Sequence, residues 1–272
     1  ARSEGTVYYI DGVRVIGNTS VPQSAIDQVE VMLSGTPAMY GDVTGGIINM
    51  TTKGPSRTFG AGLEVEQSID GYGHTRVGIN AQGPLIKGKK SETALLGYFL
   101  SGEFNRNKDG AISAIGHYKA TDEWLNYIKE HPLRIGSSGE GVYPNGEYTR
   151  MGSMEYVKNS QNTSDWNVNV AGNINIRTTE TINLSIGGSY YKRKDHNFSR
   201  NHEYFNFDKN YIYESQTWRV YGRFTQRFPT APESTSLIKN FYYSLQVDYS
   251  RYNTSRYDPD HKKDIWKYGY LG

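Results

Sequence analysis

The sequence predicts an all-β fold whose antiparallel strands cross a membrane as part of a barrel. Three observations carry that expectation: apolar and polar residues alternate over strand-length runs, short and long connections are sorted by position, and the composition suits a chain with only one face in lipid. The 272 residues include 30 Gly, 23 Tyr and no Cys, with 36% hydrophobic residues. No apolar run approaches the ~20 residues that a spanning helix needs. A barrel strand hides only every second residue in lipid, so its sequence reads as polar on average. Tyr suits the boundary of such a layer, because its ring is apolar and its hydroxyl stays wet. Composition alone leaves a soluble Tyr- and Gly-rich β-protein as the alternative.

The bulk numbers also exclude some classes. A net charge of +2, from 30 basic and 28 acidic residues, leaves no electrostatic footprint for nucleic acid. Without Cys there is neither a disulfide framework nor thiolate chemistry. No leader segment is legible at the start, which already reads as folded chain and implies processing or an incomplete sequence.

Along the chain, residues 7–16 (VYYIDGVRVI) are two β-like runs around Asp11-Gly12, a hairpin signal. Ser24 to Leu33 combines a short helical start with a β-rich run. From Ser34 the glycines at 35, 41, 45 and 46 punctuate short apolar pieces, which implies tight turns and close chain packing. They do not form a phosphate loop: neither GxxxxGK[ST] nor GxGxxG is present, and Gly46 leads into IINMTT, which reads as a strand.

The clearest alternation follows. In 166–177, Trp166, Val168, Val170, Ile174 and Ile176 oppose Asn167, Asn169, Asn173, Asn175 and Arg177. In 181–191, Ile182, Leu184, Ile186 and Tyr190 oppose Thr181, Asn183, Ser185 and Ser189. In 218–228, Trp218, Val220, Phe224 and Phe228 oppose Arg219, Arg223, Thr225 and Arg227; in 241–251, Phe241, Tyr243, Leu245, Val247 and Tyr249 oppose Tyr242, Ser244, Gln246, Asp248 and Ser250. Stretches 58–68, 75–82 and 93–104 repeat the pattern less cleanly, giving about seven strands. Connections 105–164, 195–211 and 253–272 are long and alternate with shorter ones, as outer loops and inner turns do in barrels of the outer membrane. Seven strands are too few to close around internal structure, and an open edge in lipid leaves its backbone groups unpaired. The expectation is therefore part of a longer chain.

The run YYIDGVRV followed by IDQVEVMLSGTPAMYGDVTGGIINMTTKGP resembles the C-terminal half of the plug domain of TonB-dependent receptors. The matching residues are Asp11, Gly12, Ile26, Val29, Glu30, Val31, Gly35, Pro37, Ala38, Tyr40, Gly41, Gly45, Gly46, Ile47, Ile48, Asn49, Thr51 and Thr52. Ser34 stands where many members carry Arg, and the "GDVTGG" and "TTKGPS" forms resemble a Bacteroidota branch. The resemblance implies a plug end over residues 1–55, then the first ~7 strands of a 22-stranded barrel over 56–272. It implies an outer-membrane receptor that imports a large or scarce nutrient (glycan, peptide or metal chelate), is energised by the inner-membrane TonB complex, and is surrounded by outer-membrane lipid. A surface lipoprotein or other envelope subunit is a further candidate partner. Alternative readings are a receptor-like barrel serving as a structural subunit of an envelope assembly, and a soluble carbohydrate-binding β-protein.

No enzyme constellation, cofactor motif or metal-ligand spacing stands out. Residues 120–131 predict a short amphipathic helix with Trp124, Leu125, Tyr127 and Ile128 on one face. Trp124, Tyr143, Tyr148 and Trp266 are candidate ligand contacts on loops. Asp258, Asp260, His261 and Asp264 lack the glycine turn and closing Glu of a calcium loop and read as a solvated charged segment.

Overall fold

The computed structural model describes residues 6–17, 20–33, 40, 45–87, 94–139, 141–179, 181–229 and 240–267. The strands are β1 (Val7–Ile10), β2 (Val13–Arg14), β3 (Ile26–Met32), β4 (Ile47–Thr52), β5 (Gly60–Gln67), β6 (Thr75–Lys87) and β7 (Ala94–Asn107). Next come β8 (His117–Ala120), helix α1 (Asp122–Glu130), β9 (Leu133–Ile135), β10 (Val142–Pro144) and β11 (Met154–Val157). The chain continues with β12 (Asp165–Arg177), β13 (Ile182–His196), β14 (Ile212–Phe228) and β15 (Phe241–Tyr257).

Seven of these make one antiparallel meander in the order β15-β14-β13-β12-β7-β6-β5. A four-stranded sheet, β2-β1-β4-β3, lies against its inner face. Asp11 and Gly12 turn the β1–β2 hairpin with φ of 52° and 77°, the pair of left-handed residues that a two-residue hairpin of this twist requires. β4 pairs parallel with β1 and antiparallel with β3, so this small sheet is mixed.

The expected alternation matches burial. On β12 the side chains of Asn169, Ala171 and Asn173 are buried, and on β14 those of Ser215, Thr217, Arg219 and Tyr221. The opposite faces expose Ile174, Ile186, Trp218, Val220, Leu245, Val247 and Tyr249. The wall is thus polar toward the small sheet and apolar away from it. Ile10, Val21 and Ala25 form the buried core with Phe99 of β7 and Ala171 of β12, so the main apolar cluster lies between the two sheets. Burial of this kind contributes roughly 25 cal/mol per Å² of apolar surface removed from water.

Six of the seven wall strands are longer than the expected ~9–11 residues, and β5, with 8, is shorter. β13 has 15 residues, and β14 and β15 have 17 each. Their extra residues are polar ends such as Lys192–His196 and Arg251–Tyr257, where pairing continues beyond the apolar band. The connections shift accordingly: β7 reaches Asn107, β13 begins at Ile182 and reaches His196, and β15 reaches Tyr257 instead of ending near residue 252. β6 also runs past the expected end, to Lys87, carrying Pro84 through an irregular register that relieves the missing amide.

Candidate functional site

The site with the most built geometry is the junction between the small sheet and the wall. The Asp11 carboxylate accepts from the Thr52 backbone N–H at 2.8 Å and from the Thr52 hydroxyl at 2.9 Å, which holds the hairpin turn to the end of β4. Behind it, Arg219 of β14 is only 2% exposed; its Nη2 donates to the Ile10 carbonyl at 2.6 Å and lies 3.7 Å from Asp11 Oδ2. Arg223, four residues on and on the same face, donates to the Asp11 carbonyl. A buried guanidinium needs such partners, because desolvating an unpaired charge costs several kcal/mol. Arg219 Nε and Nη1 have no partner among the described residues.

Further contacts tie the small sheet to other wall strands. Ser24 Oγ lies 2.7 Å from Ser101 Oγ of β7, and the Gln23 N–H donates to Glu103 at 3.3 Å. Asn173 of β12 donates to the Lys53 carbonyl at 2.8 Å. Gly17, at φ 64°, lies so close to the Tyr252 ring that an added Cβ would fall 2.5 Å from it. Along the inner wall, Arg76 bridges Glu64, Glu66 and Glu103 at 3.0, 3.1 and 3.2 Å.

Above the long-connection end of the wall, the loops are joined to one another. Asn210, almost fully buried, donates to the carbonyls of Gln161 and Asn162, and Asn162 donates to that of Phe207. His117 contacts Glu203 through Nδ1 at 2.7 Å and the Ala111 carbonyl through Nε2 at 2.8 Å. Lys119, held by Glu155 at 2.7 Å, has its pKa raised chiefly by that hydrogen bond. Lys209 reaches Asp260 at 2.6 Å, which raises the lysine and lowers the carboxylate.

Of the plug-like motif, the structure places Asp11 and Gly12 in this junction. Glu30 faces outward on β3 and pairs in register with Asn49. Thr51 is exposed, and Gly46 lies close to the Met32 carbonyl. Gly45 directly precedes it at the approach to β4, and Tyr40 packs edge-on against Tyr9 at 4.8 Å. Gly35, Pro37 and Gly41 lie outside the described residues.

The loop aromatics are not gathered into one pocket. Trp124 donates through its indole to Thr149 at 2.8 Å and stacks on Tyr127. Tyr148 lies under the Arg134 guanidinium at 3.7 Å, Tyr143 is exposed on β10, and Trp266 is exposed in a separate loop. On α1, Trp124, Leu125 and Ile128 are half-buried as the periodicity predicts, while Tyr127 is exposed. Asp258 uses its carboxylate to cap the Asp260 and His261 amides, and no group of metal-ligating residues occurs among the described residues. Sequence reasoning missed the Arg219–Asp11 contact. The only signal was an Arg on the polar side of a barrel-like strand, and nothing in one strand says which turn it meets.

A polar-lined antiparallel wall with an apolar outer face, packed against a small mixed sheet, defines the class by its architecture: part of an antiparallel β-barrel wall with structure on its inner side. Comparison with solved structures agrees at the level of fold. The siderophore receptor PirA from Acinetobacter baumannii superposes with a TM-score of 0.51 at 15% identity, covering 93% of this chain and 37% of that receptor. The siderophore receptor PirA from Pseudomonas aeruginosa gives 0.51 at 14% identity, covering 92% and 34%. The chain therefore spans little more than a third of each of these receptors. No family model matches the sequence, and no curated protein matches it.

Proposed function

We propose that this chain is part of a TonB-dependent receptor of the bacterial outer membrane and serves nutrient import, not catalysis. In this reading residues 1–55 are the C-terminal part of the plug, and 56–272 are the first seven barrel strands with their outer loops. The observation that carries it is the seating of the β1–β4 sheet against the polar face of the wall, clamped by Arg219 and Arg223 on the Asp11 turn. Such a junction holds the small sheet to the wall through a few local polar contacts, which a pull on the small sheet would break. The inner-membrane TonB complex would supply that pull. Outer-membrane lipid would cover the apolar face, and a surface lipoprotein or another envelope subunit is a candidate partner at the loops. The nutrient is a large or scarce one (a glycan, a peptide or a metal chelate), and the likeness to siderophore receptors leaves that choice open.

The test uses cells lacking the complete receptor gene and, separately, cells lacking TonB. Loss of uptake of one nutrient class in both strains is the expected result. Unchanged uptake of all three classes in the receptor-less strain overturns import, and uptake that depends on the receptor but not on TonB overturns the energising partner.

A further inference from the structure

Two of the long connections meet through one histidine. His117 opens β8, and its side chain is 8% exposed. Its Nδ1 lies 2.7 Å from Glu203 Oε1, and its Nε2 lies 2.8 Å from the Ala111 carbonyl oxygen. Glu203 follows the helical turn Arg200–His202 of the other connection and is itself 12% exposed. Phe198 packs edge-on against the imidazole at 5.8 Å. Both ring nitrogens therefore face oxygens. The Ala111 carbonyl can only accept, so Nε2 must carry a hydrogen. A neutral imidazole has a single N–H, and with that one used at Nε2 a lone pair is left on Nδ1. A lone pair does not approach an ionised carboxylate this closely without a proton between them. Either Nδ1 is protonated and donates to Glu203, or Glu203 is protonated and donates to Nδ1. Both forms hold the same number of protons, so the contact needs one proton wherever it sits. Its removal leaves two acceptors face to face where little water reaches them.

The neighbouring charged groups are committed elsewhere. Lys119, next on the same face of β8, is held by Glu155 of β11 at 2.7 Å and lies 3.7 Å from Asp122. On β11 the register partner of His117 is Val157, and Lys158 beyond it donates to the Asp70 carbonyl. Asp109 accepts from the amides of Ala111 and Ser160 at 2.9 and 3.1 Å and from the Ser160 hydroxyl. On the Glu203 side, Arg200 is exposed and His202 is half-buried, and Asp208 and Lys209 further along form ion pairs with each other and with Asp260. The remaining links between the two connections are uncharged. The Ala120 amide donates to the Tyr204 carbonyl at 2.9 Å, Asn210 donates to the carbonyls of Gln161 and Asn162, and Asn162 donates to that of Phe207.

We infer that the His117–Glu203 pair is a proton-operated latch on the joint between these two connections. With its proton bound, the latch holds 111–120 against 198–204. The sign follows from the proton count: the contact contributes fully at acid pH and is lost as pH rises and the proton leaves. That half of the joint then opens, while the half built from Asn162, Phe207 and Asn210 stays closed through its neutral amides. The latch depends on donor and acceptor chemistry within the loops, so it stands apart from the import reading of the chain. Its effect is on the surface that this end of the wall presents, which is fully assembled in acid and partly released in alkali.

The experiment is hydrogen exchange on the full protein from about pH 5 to about pH 9, a window that brackets imidazole chemistry, with rates corrected for the intrinsic pH dependence of amide exchange. The Ala120 amide is the reporter, because its acceptor, the Tyr204 carbonyl, belongs to the other connection. Its protection should fall about tenfold as pH rises, while the Ser160 amide and the strands β12–β14 keep theirs. Glu203→Gln is the decisive variant. Its amide can donate to Nδ1 of a neutral imidazole, so Ala120 should hold its acid-level protection across the whole window. A side chain that merely filled space there would leave the pH response in place. The ring-nitrogen resonances of His117 give a reading on the wild type alone: Nδ1 should pass to the lone-pair form over the same range in which Ala120 loses protection, and Nε2 should keep its hydrogen. Ala120 protection that is constant with pH, that rises with pH, or that falls equally in E203Q overturns the latch. So does a pH response that disappears in H202Q, which would assign the titration to His202.

Discussion

Replacing Asp11 by Ala should release the small sheet from the wall. The carboxylate accepts two hydrogen bonds from Thr52, at 2.8 and 2.9 Å, and stands 3.7 Å from an Arg219 guanidinium that is 2% exposed. Removing one partner of a buried charge pair costs about 3–5 kcal/mol, because the remaining charge is left in a poorly solvating place. Arg219 keeps its bond to the Ile10 carbonyl at 2.6 Å, so the low end applies. A loss of about 3 kcal/mol raises the open population roughly a hundredfold. Hydrogen exchange on the full protein reads this directly: amides of β1 and β4 should lose about two decades of protection, while those of β12–β14 keep theirs. Asp11→Asn retains an acceptor for the Thr52 amide and should fall between. Exchange of β1 and β4 within twofold of wild type in D11A refutes the clamp.

Three other outcomes follow from distances in the structure. The pair Ser24→Cys/Ser101→Cys should oxidise readily, because the present hydroxyls are only 2.7 Å apart. The bond would tie the small sheet to β7, show as a reductant-sensitive mobility shift, and its absence under oxidising conditions would count against this seating. His117→Ala strips the partner from Glu203 and from the Ala111 carbonyl, and should weaken the joint between loops by about 1–3 kcal/mol. Limited proteolysis should then cut 197–211 faster without touching the wall strands, and an unchanged cutting rate would sink this account. The Lys209–Asp260 contact should be insensitive to pH across the neutral range. Asp260 is lowered by its lysine partner, so its contribution is complete above the ordinary carboxylate pKa near 4 and is lost as pH falls through the lowered value. Lys209 is raised by the same bond, so its contribution is complete below about 10 and is lost only above that. A titration of the Lys209 ammonium signal showing a midpoint between pH 5 and 9 would contradict this.

How much of the fold can be read from the sequence depends on the range of the interaction. Alternation such as that of Trp166 to Arg177 is a property of one strand in two solvents, so each wall strand is legible. The Asp11-Gly12 turn is equally local: two consecutive residues must accept positive φ. Strand ends are less legible, since polar residues at Lys192–His196 and Arg251–Tyr257 look the same in a strand that runs past its apolar band as in a loop. The small pairs β8–β11 and β9–β10 were missed because four-residue and three-residue strands carry almost no periodic signal. The contact between Arg219 and Ile10 links positions 209 residues apart, and no spacing rule reaches that far. Residue type alone marks the loop aromatics as candidates. Their actual neighbours, Thr149 for Trp124 and Arg134 for Tyr148, are set by the fold of the loop.

The bonds that Asn210 makes to the loop carrying Gln161 and Asn162 have a thermodynamic consequence. Ordering one backbone residue costs about 1–2 kcal/mol of conformational entropy, and a floppy set of loops would charge that cost to every ligand that had to gather them. Here His117–Glu203, Asn162–Phe207 and Lys209–Asp260 have already fixed the segments relative to one another during folding. A molecule arriving at this end meets a preassembled surface, so its affinity reflects contact with that surface and very little of it is spent on assembling the loops.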